Sequence, residues 1–385
     1  MPSADPQREY RISCAPGLST WLGSEIESLG LSVESTDHTG VFTRATMADA
    51  MRLLLWLRTG FHVLQRFADI RATDADMLYA ETTRLPWERV IPPDGTITVV
   101  SAVDNPTITN SMFPNVKIKD AIVDRLMKVN GRRPNAGSKG DQTVIHLFWK
   151  KDKARLSLDL AGPKLSDRGY RREPGKAPLR ETTAAAILLA AGHDGIRPLV
   201  IPMCGSGTLA IEAALISANR APGLLRSGYG IQHLQTFDQE QWRQARADAK
   251  RASGNAIQAP IIATDIDAAV VEAARRNART AGVDHLIEFS CCDFADTPMP
   301  EEPGVVILHG EYGLRLGDEH ALAGTYRRMG DFLKQRCAGW DGYVFTAKEH
   351  AGRIGLKAAS RIPFEHAGID CRLLRYELYA GSTPA

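Results

Sequence analysis

Long hydrophobic runs are missing from this 385-residue chain. The longest one at a candidate helix is TTAAAILLAAG, from Thr182 to Gly192. It falls well short of the roughly 20 apolar residues needed to cross a bilayer, so neither a transmembrane helix nor a membrane partner is expected. The N-terminus, MPSADPQREYR, lacks the charged-then-apolar order of a secretory signal, and a cytoplasmic protein is expected. Cysteine is scarce: Cys14, Cys204, Cys291, Cys292, Cys337 and Cys371 form no CxxC pair. That excludes a disulfide framework and points to reduced thiols. No histidines stand at zinc-site spacing from Cys291 and Cys292, so that pair reads as core and no metal is expected. No internal repeat of 20 to 50 residues is found, which excludes a solenoid. With 44% hydrophobic and 24% charged residues, the chain is neither disordered, nor a coiled coil, nor collagen-like. Its length suggests two or three domains.

A charge imbalance is present. The net charge is only +2, yet between Lys117 and Lys176 16 Lys and Arg face seven Asp and Glu, a local +9 that leaves −7 elsewhere. A basic stretch on a near-neutral chain is an electrostatic footprint for a polyanion, though an ordinary solvated face fits it too.

Hydrophobic periodicity divides the chain. Residues 8–70 read strand, helix, strand pair, helix: YRISCA, then Leu18, Leu22, Ile26 and Leu29 at helical spacing, VESTDHTGVFTRAT, and ADAMRLLLWLRT. That is the pattern of a small α+β sandwich. Residues 71–165 are mixed. TITVVSAV is a strand by its β-branched content. VKIKDAIVDRLMKVN is an amphipathic helix with Val116, Ile118, Ile122, Val123, Leu126 and Met127 on its apolar side. TVIHLFWKKDKARLSLDLAG is a hairpin turning at Lys150 to Lys153. GPKLSDRGYRREPGKAP reads as a linker or basic loop. From there to residue 385 strands and helices alternate, which predicts a doubly wound, mostly parallel sheet.

Three successive strand ends carry chemistry. LVIPMCGSGTLAIEAAL sets Gly205 and Gly207 between strand and helix, where glycine permits positive φ and close ligand approach. The helix opening at Thr208 offers N–H groups to an anionic ligand group. TDID ends the next strand, and Asp265 there can accept both hydroxyls of an adenosine ribose. The third is Asp293-Phe294, a carboxylate and a ring suited to adenine, though a loop cap fits Asp293 equally well. Gly207 and Asp265 lie 58 residues apart, far more than the roughly 20 of a plain dinucleotide fold. A plain dinucleotide fold therefore fits poorly unless residues 219–259 are an insertion, in which QTFDQEQWRQARADAKRAS can form an extra helix. The same spacing argues against a nicotinamide dehydrogenase.

The segments DRGYRREPGKAPLRETTAAAILLAAG, PMCGSGTLAIEAALISANRAPGL and TDIDAAVVEAARRNARTAGV resemble the THUMP-domain RNA methyltransferases, as do NSMFPNVKIKDAIVDRL and CRLLRYEL. Within that family they are most like the bacterial enzymes that methylate the exocyclic amine of a guanine in large-subunit ribosomal RNA. The resemblance covers nearly the whole chain. It implies a ferredoxin-like domain at 1–70, a THUMP RNA-binding domain at 71–165 and a Rossmann-like methyltransferase domain at 166–385. It also implies S-adenosylmethionine as cofactor, with Met203, Cys204, Gly205, Ser206, Gly207, Thr208 and Thr182 around its methionine part. Asp265 with Ile266 would take the ribose, and Asp293 with Phe294 the adenine. Two stretches depart from the family pattern. An acidic residue usually precedes PMCGSG, and here it is Ile201. The family's N-P-P-Y loop is replaced by His309, Gly310, Glu311 and Tyr312.

An exocyclic amine is a poor nucleophile because its lone pair is delocalised into the ring. A catalytic loop therefore supplies acceptors for the amine hydrogens and an aromatic platform for the flipped base. Tyr312 keeps the platform, His309 can accept a hydrogen bond when neutral, and Glu311 can accept one or act as base. The other reading is a loop that has lost catalysis, leaving an RNA-binding scaffold of the same fold. For RNA, Lys117, Lys119, Arg132, Arg133, Lys139, Arg168, Arg171 and Arg172 can neutralise phosphates, and Tyr170 can stack on an unpaired base. Ribosomal RNA is the expected partner. The sequence leaves the oligomeric state open.

Overall fold

The structure, a computed structural model, describes residues 5–110, 112–132, 135–136, 142–175, 178–310 and 319–379. The chain divides into two units. The first takes in Met1–Cys14, Leu22–Asp167 and Arg226–Asp248, and the second Ala15–Trp21, Arg168–Leu225 and Ala249–Ala385.

The elements up to residue 167 are β1 (Arg8–Cys14), α1 (Ser19–Ser28), β2 (Val33–Asp37), β3 (Gly40–Ala45), α2 (Met47–Trp56), β4 (Gly60–Arg71), α3 (Ala75–Arg84), β5 (Thr96–Asp104), α4 (Phe113–Asn130), β6 (Asn135–Ala136), β7 (Thr143–Lys150) and β8 (Lys153–Asp159). The eight strands form one sheet in the order β2-β3-β1-β4-β8-β7-β5-β6. The 12-residue β4 is its seam, antiparallel to β1 on one side and to β8 on the other. Local sequence sets several of these elements. Thr46 and Asp49 close a reciprocal capping box on α2. Pro114 opens α4, and Gly131, at φ 65°, ends it in the left-handed conformation. In α4 the residues Ile118, Ala121, Ile122, Val123 and Leu126 are buried. Val116 and Met127, expected on that side, are 54% and 43% exposed. They flank the stripe rather than occupy it. Residues 226–248 join this unit through long-range bonds: Gln235 N donates to Val90 O (3.0 Å) and Thr143 Oγ1 to His233 O (3.2 Å).

The remaining elements are α5 (Glu181–Ala190), β9 (Leu199–Pro202), α6 (Thr208–Ser217), α7 (Gln239–Arg251), β10 (Ile261–Asp265), α8 (Ala268–Ala281), β11 (Glu288–Cys291), β12 (Val305–His309), α9 (Glu319–Arg336), β13 (Asp341–Ala347), β14 (Ser360–His366) and β15 (Ile369–Glu377). The second unit's sheet runs β11-β10-β9-β12-β13-β15-β14. Counted within that sheet the order is 3-2-1-4-5-7-6. The first five strands are parallel, and β15 is antiparallel to both β13 and β14. The strand order reverses between β9 and β12, and in doubly wound sheets the ligand crevice opens beyond the strand ends at such a switch point. Leu199, Val200 and Ile201 are fully buried, as a strand covered on both faces requires. The inserted polar stretch forms α7, as its sequence suggested, and most of it, up to Asp248, counts with the first unit. That is why β9 and β10 pair directly although 58 residues separate Gly207 from Asp265.

Candidate cofactor and catalytic site

The crest of the second sheet is built from the turn after β9. Cys204 N donates to Thr264 O (2.7 Å), tying the turn to β10. Met203, Gly205 and Gly207 have φ of 70°, 54° and 84°. Glycine tolerates that region, whereas Met203 carries strain there. A Cβ at Gly207 would lie 3.0 Å from Ala274 Cβ, so the residue also lets α8 come close. Gly207 is the N-cap of α6 and offers no side chain to the helix's first turn. The N–H groups there remain available to an anionic ligand group. Burial, with Asp265 nearby, pushes the Cys204 thiol up and keeps it neutral.

Asp265 closes β10. Its Oδ2 accepts from Gly205 N (3.0 Å) and its Oδ1 from Asp267 N (3.2 Å). A carboxylate has about four acceptor positions, so two stay free for a diol. Next to it Ile266 is 71% exposed, a large apolar side chain on the crest. Asp293 follows β11. The Arg328 guanidinium, 2.7 Å away, holds its carboxyl below the usual range. Phe294 is a correction. Its ring is 6% exposed, packed edge-on against Phe332 and covered by Arg328. It belongs to the core and presents no open face to adenine. Cys291 is a second correction: it is exposed, because β11 is the edge strand of the sheet.

Two further polar groups of this unit are buried. The Thr182 hydroxyl, in the first turn of α5, is fully buried with no hydrogen-bond partner among the described residues. Such an orphan costs stability unless something bonds to it. Asn277, on α8, was not foreseen. Fully buried, it accepts from Arg172 N (2.9 Å) and Glu173 N (3.1 Å), and donates to Glu173 O (2.9 Å) and Ser206 O (3.1 Å). One side chain thus fastens the 172–173 segment to the glycine turn. The asparagine of EAARRNARTAG carried no local signal, because its partners lie 71 and about 105 positions away.

His309 ends β12, beside β9 across the switch point. Burial, with the His366 ring nearby, holds its pKa down to about 4. The imidazole is therefore neutral at pH 7 and keeps an acceptor nitrogen. Its ring lies 5.6 Å from that of Phe345, and Gly310 packs where a Cβ would meet Met329 Cε at 2.8 Å. Glu311 and Tyr312 lie outside the described residues. Ile201 is fully buried in β9, so no carboxylate stands at that strand position.

Of the expected RNA contacts, Arg132 and Arg172 are exposed, and Lys119 is half-buried. Lys117 pairs with Asp76 (3.0 Å) above the Phe113 ring. Arg133 and Lys139 lie outside the described residues. Arg168 and Tyr170 are corrections. Both are 1% exposed, Arg168 paired with the fully buried Glu212 (2.8 Å) and Tyr170 donating to it (3.0 Å). Arg171 is mostly buried against Glu181 (2.5 Å). A buried arginine needs its carboxylate, and that need turned part of the basic loop inward. Sequence composition counts charges without showing which way they face.

A sheet of this order, with a glycine turn, an anchored acid and a free helix N-terminus at its switch point, defines a Rossmann-like domain shaped for an adenosyl group. The chain belongs to the RMKL-like methyltransferase family, whose domain model matches residues 168–374. A THUMP domain matches at 72–159 and an RlmL ferredoxin-like domain at 9–64. Putative RNA methyltransferase slr0064 of Synechocystis sp. is 36% identical over 97% of this chain and 97% of its own length. Ribosomal RNA large subunit methyltransferase K/L of Photobacterium profundum is 35% identical over 97% of this chain. The chain spans about half, 53%, of that relative's length. The crystal structure of SMU.472, a putative methyltransferase complexed with S-adenosylhomocysteine (SAH), superposes with a TM-score of 0.88 at 27% identity, covering 98% of this chain and 99% of the other. The family depends on S-adenosylmethionine. The residues at the turn fit that group: a glycine cradle, and acceptor positions on Asp265 beyond those its two backbone bonds use.

Proposed function

We propose that this chain methylates the exocyclic amine of a guanine in ribosomal RNA, in the cytoplasm, with S-adenosylmethionine as donor. The observation that carries this reading is the pairing of β9 with β12. It sets the glycine turn and the neutral His309 at adjacent strand ends. The bound cofactor supplies an electrophilic methyl on a sulfonium. The chain's residues do the rest. The first turn of α6 and the Thr182 hydroxyl orient the methionine end, and Asp265 takes the ribose. Ile266 covers one side of the adenosyl group, and Asp293 faces its base while held by Arg328. His309 accepts a hydrogen from the target amine, which offsets positive charge growing on nitrogen during transfer. Glu311 takes the second hydrogen or the released proton, and Tyr312 stacks on the flipped base. The exposed Arg132 and Arg172, with Lys119, bind phosphates.

A scaffold without catalysis is the second reading. The buried apolar Ile201 and the HGEY loop, which both depart from the resembling family's pattern, favour it. Label transfer from methyl-tritiated cofactor to ribosomal RNA of a strain lacking the enzyme separates the two, with digestion to nucleosides. Label in methylated guanosine is expected. Cofactor binding without transfer overturns catalysis, and label in adenosine overturns the choice of base.

A further inference from the structure

Three strands of the first unit bring together side chains that the proposed reaction does not use. Asp159 ends β8. In the sheet it lies opposite Leu64 on β4 and opposite Val144 on β7. His62 and His146 are each two residues from those partners, so all three side chains project from the same face. Asp159 is fully buried. Its Oδ2 meets His62 Nδ1 at 2.7 Å and His146 Nε2 at 3.2 Å, and its Oδ1 accepts from Ala161 N at 2.9 Å. The two rings lie 5.4 Å apart, tilted by 55°. Every candidate ligand atom lies within 4.8 Å of the others.

We propose that His62, His146 and Asp159 form a binding site for a divalent transition-metal ion of the zinc class. Two imidazole nitrogens and a carboxylate oxygen suit zinc or iron(II) rather than magnesium or calcium, which take oxygen. A carboxylate removed from water gains strongly from a divalent ion held within bonding distance. The imidazole side chains keep 17% and 23% exposure, so an ion has a way in and water completes its shell. On binding, the proton on each nitrogen now facing Asp159 shifts to the ring's other nitrogen, or leaves to solvent where the ring was charged. A lone pair is then free for the ion. The ion would pin the seam strand β4 to the β7–β8 hairpin.

The test uses the full chain, stripped with EDTA and titrated calorimetrically with zinc chloride. One zinc per chain is expected, with affinity falling at least about tenfold in His62→Ala and in His146→Ala. Zinc should raise the melting temperature of the wild type and not of these variants, whose circular dichroism and melting in EDTA show that they fold. Cobalt(II) loading should give ligand-field absorption with no thiolate charge-transfer band. Three results would each overturn the site: no binding to the wild type, unchanged binding in the His62→Ala/His146→Ala double variant, or a thiolate band that moves the ion to the cysteines.

Discussion

Replacing Asn277 by alanine removes four hydrogen bonds at once, two accepted from Arg172 N and Glu173 N and two donated to Glu173 O and Ser206 O. A buried polar group left without a partner costs about 1–3 kcal/mol. Arg172 is exposed and Glu173 and Ser206 are half-buried, so water can rescue part of this. The structure therefore supports a loss of about 2–3 kcal/mol for the whole clamp. For a domain of roughly 200 residues, that lowers Tm by roughly 5–10 °C. The transition to follow is the one that SAH raises. Because Ser206 sits inside the glycine turn, its release should also weaken SAH about tenfold, the equivalent of roughly 1.4 kcal/mol. Asn277→Asp keeps the acceptor toward Arg172 and Glu173 but turns a carboxylate on two carbonyl oxygens. It should lose cofactor affinity as well. Scanning calorimetry and titration of SAH read both effects. If Asn277→Ala melts within about 1 °C of wild type and binds SAH within about twofold, the clamp does not hold the turn.

Thr182→Val keeps the volume and removes the orphaned hydroxyl. SAH should bind about 3–10-fold more weakly while the cofactor-free chain melts no lower, and unchanged affinity would sever Thr182 from the site. Gly207→Ala must adopt φ 84° and press on Ala274. Left-handed strain of about 1–2 kcal/mol should cost SAH about tenfold in calorimetry with the circular dichroism preserved, and wild-type affinity would refute the cradle. His309 and His366 titrate near pH 4 in the folded chain, both through burial, His309 with His366 beside it and His366 with Arg180 and Arg171. The unfolded chain binds those protons near pH 6.5, so stability is full above 6.5 and falls as pH drops toward 4, by at most ~3 kcal/mol per group. Urea midpoints at pH 7 and pH 4.5 should show it, with His366→Asn losing less, and a flat profile would contradict the lowered titration of both rings.

The elements that carry the site were legible because each rests on short-range chemistry. PLVIPM followed by CGSG reads as a strand and a turn, TDID as a strand end, and AAVVEAARRNARTAG as a helix closed by Gly282 at φ 71°. β4, α3 and β14 were not read from sequence. Their apolar residues alternate irregularly, because β4 is paired on both edges and its burial switches along its length. Charge in the 162–178 loop was countable, but its direction was not. Arg168 and Tyr170 turn inward to Glu212, 44 and 42 positions away, while Arg172 stays out.

The alternation of strands and helices beyond residue 178, the glycines that allow positive φ and the acid at the end of β10 follow from neighbours within a few residues, so the chain alone determined them. Partnerships across the fold had no such local trace. Asn277 at the glycine turn, Phe294 withdrawn into the core, and His62 and His146 meeting at Asp159 were decided only when distant strands and helices packed. A side chain's neighbours there are set by sheet register and burial, which no stretch of sequence encodes by itself.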